Sequence, residues 1–203
     1  MSQPFDRMAI CPAPVKPDER LKDWWVDNPW KIAAAGKSLS GYERNRIFLN
    51  SGDGGFYEIS GLTGGADSDG DGRAVVPCDV TGDGMEDLIV RQAGGGPLLV
   101  FENRFPKAHW LQISLRGEKS NRHGIGARIT AETADKKLTR ELFPHNTFVS
   151  QAPAHVHFGL GDADKVNKLT VRWPSGLVQE FSNVTADRRL IIHEGRQEIE
   201  SSP

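Results

Sequence analysis

Residues 79–87, Asp-Val-Thr-Gly-Asp-Gly-Met-Glu-Asp, place oxygen donors at every second position around a glycine turn, and a Leu-Ile-Val run follows at once. Gly82 and Gly84 lack a Cβ, so the chain can bend there through φ values closed to most residues. A hard cation such as calcium takes about six to eight oxygens at about 2.3–2.6 Å, and only a tightly curled loop can aim that many inward. Asp79, Thr81, Asp83 and Asp87 offer side-chain oxygens and Met85 its backbone carbonyl, so calcium is the expected ligand of these five residues. The competing reading is a plain β-turn, for which Asp and Gly are the commonest residues. Crowded carboxylates without a cation would repel one another, and this favours the metal. The loop opens as an EF-hand loop does, but the distant Glu of that motif is missing and a strand, not a helix, follows.

The pattern on either side of the loop is β. Extended runs over 46–50 and 56–59 flank Ser51-Gly-Asp-Gly-Gly55, a hairpin by its turn chemistry. Runs over 74–78 and 87–91 flank the acidic loop, and another over 97–102 follows Gly94-Gly-Gly96. Over 109–115, Trp110, Gln112 and Ser114 alternate with Leu111, Ile113 and Leu115. Further strands are expected over 128–132, 138–142, 155–158, 169–173, 178–181 and 190–193. Turn signals recur at short intervals and nothing after residue 40 reads as a helix, so the chain is expected to be all-β. Before it lies an arm over 1–40, Pro-rich and then carrying Trp24, Trp25 and Trp30, which is expected to pack across the body.

A net charge of −2 with no Lys/Arg run gives no reason to expect a nucleic-acid partner. No apolar stretch approaches the ~20 residues that cross a bilayer, and the first thirty residues carry no hydrophobic leader segment. Cys11 and Cys78 leave a disulfide possible by count alone, with Cys78 expected as a small buried hydrophobe.

Several segments together resemble a known family. Gly41-Tyr-Glu-Arg-Asn-Arg-Ile-Phe-Leu-Asn50, Asp71-Gly-Arg-Ala74, the 79–87 loop and Phe101-Glu-Asn103 resemble the FG-GAP/VCBS repeats of integrin-like β-propellers. Asn121-Arg-His-Gly-Ile-Gly-Ala-Arg128, Ser150-Gln151, His157-Phe-Gly-Leu-Gly161 and Val171-Arg-Trp-Pro-Ser-Gly176 resemble the ASPIC/UnbV domain of the cartilage acidic protein 1-like family. The resemblance implies FG-GAP-like hairpins over 41–105, an ASPIC/UnbV-like β domain over 106–197 and a short tail over 198–203. It implies calcium in the repeat loop, in line with the residues named above, and an extracellular or periplasmic setting, whereas a complete chain without a leader would be cytoplasmic. A propeller needs several blades to close, and 41–105 holds one or two. The chain therefore reads as a short member or a C-terminal portion, in which the hairpins dock on the C-terminal domain and close one sandwich or barrel. Open sheet edges make oligomers possible.

Two functions follow. One is a calcium-binding β module that engages a protein or glycan partner. The other is a small calcium-dependent enzyme such as a cyclase, isomerase or hydrolase of bacterial secondary metabolism, with the ion as Lewis acid on a small-molecule substrate. Its candidate proton-moving residues are His145, His155 and His157, the last two on one strand face. Asp67, Asp69 and Asp71 form a second acidic stretch, whose ninth position is Val75 rather than a carboxylate. It is expected to be an acidic surface loop rather than a second ion site.

Overall fold

The computed structural model describes residues 3–4, 37–38, 44–68, 70, 72–92, 97–143 and 150–202. Their regular structure is almost all strand, with one 3-10 turn at Ser60–Leu62. Among the described residues no helix is long and apolar enough to cross a membrane. The chain divides into two compact units, Met1–Val75 with Val90–Phe101 and Val76–Ile89 with Glu102–Pro203.

In the first unit, β1 (Gln3–Pro4) pairs antiparallel with β2 (Lys37–Ser38), and β3 (Phe48–Asn50) pairs antiparallel with β4 (Phe56–Glu58). The expected hairpin turn closes on itself. Ser51 N–H donates to Gly55 O at 3.0 Å, and the Asp53 carboxylate accepts from Gly55 N–H at 3.0 Å. The strands β5 (Gly72–Cys78), β6 (Asp87–Gln92) and β7 (Leu98–Phe101) form one sheet in that order, and residues 79–86 connect β5 to β6.

The second unit holds two four-stranded sheets. One has the order β10 (Lys137–Glu141), β9 (Arg128–Glu132), β12 (Lys165–Arg172), β13 (Val178–Thr185). The other has the order β11 (His155–Gly161), β8 (His109–Arg116), β14 (Arg188–His193), β15 (Ile199–Ser202). Successive strand side chains face opposite ways, so each sheet turns one apolar row inward. Leu111, Ile113 and Leu115 of β8 are fully buried and pack in one core with Phe158, Ile129, Leu169, Val171 and Ile192. The sheets thus form a sandwich, and among the described residues no closed barrel is present.

Three expectations need correction. The sandwich consists of β8 to β15, so the hairpins of 41–105 supply none of its strands. Residues 198–203, expected as a tail, contain β15, which pairs antiparallel with β14 through Leu190 and Ser201. Cys78, expected to be buried, is a half-buried free thiol whose pKa is raised by burial and by the neighbouring Asp79, Glu86 and Asp87. Cys11 lies outside the described residues.

One buried carboxylate ties the far end of this sandwich together. Glu194, just after β14, accepts the backbone N–H groups of Glu118, Lys119 and Ser120, each at 2.8 Å, and the hydroxyls of Ser120 and Ser175. Ser175 belongs to the Trp173–Gly176 turn, where Gly176 takes a φ of 91°. Burial alone would raise the Glu194 pKa, but the donors from Ser120, Ser175 and Glu118 outweigh it and hold the group at about 2. A carboxylate depressed from the ordinary 4.5 stabilises the fold above its unfolded pKa, and that contribution fades as pH falls from about 4.5 to about 2. Acid titration of the melting temperature should show this slope in the wild type and lack it in Glu194→Gln. Glu194→Ala should cost roughly 2–3 kcal/mol at neutral pH, since it orphans several donors at once.

Candidate functional site

The 79–87 loop is held first by its own backbone. Asp79 Oδ1 accepts the N–H groups of Gly82 at 2.7 Å and Asp83 at 3.1 Å, and its Oδ2 accepts that of Gly84 at 2.9 Å. Three amides reach one carboxylate because Gly82 and Gly84 sit at φ 78° and 89°, where a side chain would be strained. Asp87 is fully buried at the start of β6. Its Oδ2 accepts Val80 N–H at 2.9 Å and Thr81 N–H at 3.2 Å, and its Oδ1 accepts Asn103 N–H at 2.7 Å. Asp83 Oδ1 accepts the Thr81 hydroxyl and Met85 N–H, while its Oδ2 lies 3.8 Å from Lys107 Nζ.

The loop is held a second time by the outer face of the sheet β11-β8-β14-β15, which belongs to the same unit. Arg189 of β14 donates to Asp79 Oδ2 at 2.7 Å, and the Asp79 side chain is only 4 % exposed. Burial alone would raise the Asp79 pKa, but the bonds from Gly84, Arg189 and Gly82 bring it below the ordinary carboxylate value. His157 Nε2 lies 2.9 Å from Gly84 O, so that nitrogen carries the proton. Trp110 of β8 lies between these anchors. The Arg189 guanidinium stands 5.8 Å from the centre of its ring, and the His157 ring stacks 6.2 Å away at 10°. A Cβ on Gly84 would collide with the Trp110 indole, so glycine serves both conformation and space there.

Next to the loop opens a cleft of about 460 Å³, lined by Asp83, Met85, Lys107, His109, Trp110 and Asp187 among others. His109 Nδ1 meets Asp187 Oδ2 at 2.7 Å, and Asp187 takes a left-handed φ of 58°.

All five residues expected to hold calcium lie on this one loop, but the carboxylates of Asp79, Asp83 and Asp87 already accept protein donors, and the Thr81 hydroxyl donates to Asp83. Among the described residues no group of three or more His, Cys, Asp or Glu side chains is placed as a metal cage. In kind the donors suit a hard divalent cation: three carboxylates, a hydroxyl and a carbonyl, with no nitrogen or sulfur. In position, Asp79 has its charge met by Arg189 and only Asp83 keeps a loosely partnered oxygen. Of the candidate histidines, His157 binds the loop and His155 is half-buried beside it. Burial first, then His157 and Arg189, lower the His155 pKa against a smaller opposing pull from Asp79. His145, Asp69 and Asp71 lie outside the described residues, and Asp67 pairs with Arg44 at 2.7 Å.

Two family models match successive parts of the chain, with the loop inside the first. The model for ASPIC and UnbV matches residues 117–199, and that for an FG-GAP-like repeat matches residues 32–90, which include the loop. The chain is an ASPIC/UnbV protein with an FG-GAP repeat. No curated protein matches the chain. The ASPIC/UnbV match begins after β8 and ends at the first residue of β15, so it takes in every strand of the sandwich except the one carrying Trp110 and most of another. Sequence reasoning set Trp110 opposite the Leu111, Ile113 and Leu115 row of its strand but missed Arg189 and the His109–Asp187 pair. The alternation Arg189, Ile191 against buried Leu190, Ile192 was the available signal.

Gly84→Ala should destabilise this ASPIC/UnbV protein by about 2–3 kcal/mol, because strain at positive φ adds to the collision with Trp110. Gly82→Ala, where among the described residues only Arg189 comes within 4.0 Å of a new Cβ, should cost nearer 1 kcal/mol. Chemical denaturation of the two variants measures the difference.

Proposed function

We propose that this chain is a calcium-binding β module that engages a protein or glycan partner. The observation that carries the binding role is the β3–β4 hairpin. Phe48, Leu49, Phe56 and Tyr57 all stand exposed there, on a two-stranded sheet whose exposure runs through every residue of both strands. Large apolar side chains gathered on one exposed element mark an interaction surface, and aliphatic Leu49 among the aromatics favours a protein over a glycan. The module is preferred to the enzyme because the two described candidate histidines are engaged by structure, His157 at Gly84 O and His155 by burial.

Calcium enters this reading through the oxygen donors of Asp79, Thr81, Asp83, Met85 and Asp87. When bound, it would supply positive charge to the loop and hold its shape. The FG-GAP match over the loop and the uniform donor chemistry support this part of the reading.

Labelled protein read against arrays of purified proteins and of glycans, in millimolar calcium and in chelator, tests the whole reading. A ligand should be captured in calcium, with its signal weakened by chelator and abolished by Phe56→Ser with Tyr57→Ser. Absence of any captured ligand in either buffer, or capture indifferent to both changes, contradicts it.

A further inference from the structure

A carboxylate offers about four lone-pair sites, and those of Asp79 are all taken. Oδ1 serves Gly82 and Asp83 N–H, and Oδ2 serves Gly84 N–H and the Arg189 guanidinium. Three of these donors are amides of the loop itself, fixed by the turn conformation at Gly82 and Gly84. The fourth is a side chain, partly exposed and not fixed by the turn. A divalent ion that takes Asp79 as a ligand needs one of those lone pairs, and it repels a guanidinium on the same oxygen.

We infer, resting on the calcium reading above, that Arg189 is the resident counter-ion of the 79–87 loop and the direct competitor of calcium for Asp79 Oδ2. With Arg189 in place the loop keeps its shape without an ion. Calcium entry moves the guanidinium off Asp79 and so changes what lies over the Trp110 ring, which Arg189 otherwise covers. Arg189 therefore sets the affinity of the loop for the ion, and Asp83, whose Oδ2 has only the distant Lys107 amine among the described residues, is the first oxygen an ion meets.

Isothermal titration of calcium into the wild type, Arg189→Gln and Arg189→Lys tests this, with Asp83→Ala as the control that should not bind. Arg189→Gln should bind at least tenfold more tightly than the wild type. Arg189→Lys, which keeps the charge but not the planar fork, should fall between them, and it carries the test if the Gln variant does not fold. In the wild type, calcium should also shift the tryptophan emission, and Trp110→Phe should abolish that shift. Equal or weaker binding by both Arg189 variants overturns the competition while leaving calcium binding intact. Absence of calcium binding in every protein overturns the calcium reading and this inference with it.

Discussion

The contact between Asp79 and Arg189 joins a short acidic loop to a sheet built from strands far along the chain. Without it, a nearly buried carboxylate would face no positive charge among the described residues, and breaking one half of a buried pair commonly costs about 3–5 kcal/mol. Around it the other contacts fall into order. The loop amides converge on Asp79, Gly84 closes against Trp110, and its carbonyl reaches His157. The acids that suggested a metal are thus supported by amides, a guanidinium and a lysine within the fold.

The same arrangement explains why the loop groups with the ASPIC/UnbV sandwich rather than with the hairpins that precede it in sequence. Val76 to Ile89 carry the end of β5, the loop and the start of β6, and their polar anchors are on β8, β11 and β14. At the opposite end of the sandwich Glu194 plays a comparable part, gathering a run of three amides and two serine hydroxyls. In both places one acidic side chain satisfies backbone groups that no ladder reaches, as buried polar groups require.

Most of the strands were legible in the residues. Leu111, Ile113 and Leu115 against Trp110, Gln112 and Ser114 gave the strand, and that apolar row is the buried one. Period-two alternation is a local property, so it can be read without knowing the partner strand. Pairing is not local, and the parallel run of β14 beside β8 left no mark in either segment. β15 was missed because Ile199-Glu-Ser-Ser202 has a single apolar residue and becomes a strand through its partner β14. The site was half legible. The acids and glycines of the loop announce a convergence of charge, but sequence spacing cannot tell whether an ion or an arginine 110 residues away answers it.

The most direct measurement is a double-mutant cycle on stability, using Asp79→Asn, Arg189→Gln and the pair, in chelator so that no ion substitutes for the guanidinium. A coupling energy of about 2 kcal/mol or more between the two sites is expected of a largely buried charge pair. Additivity within about 0.5 kcal/mol would contradict it, and would mean that the loop keeps its place on the sheet by other contacts.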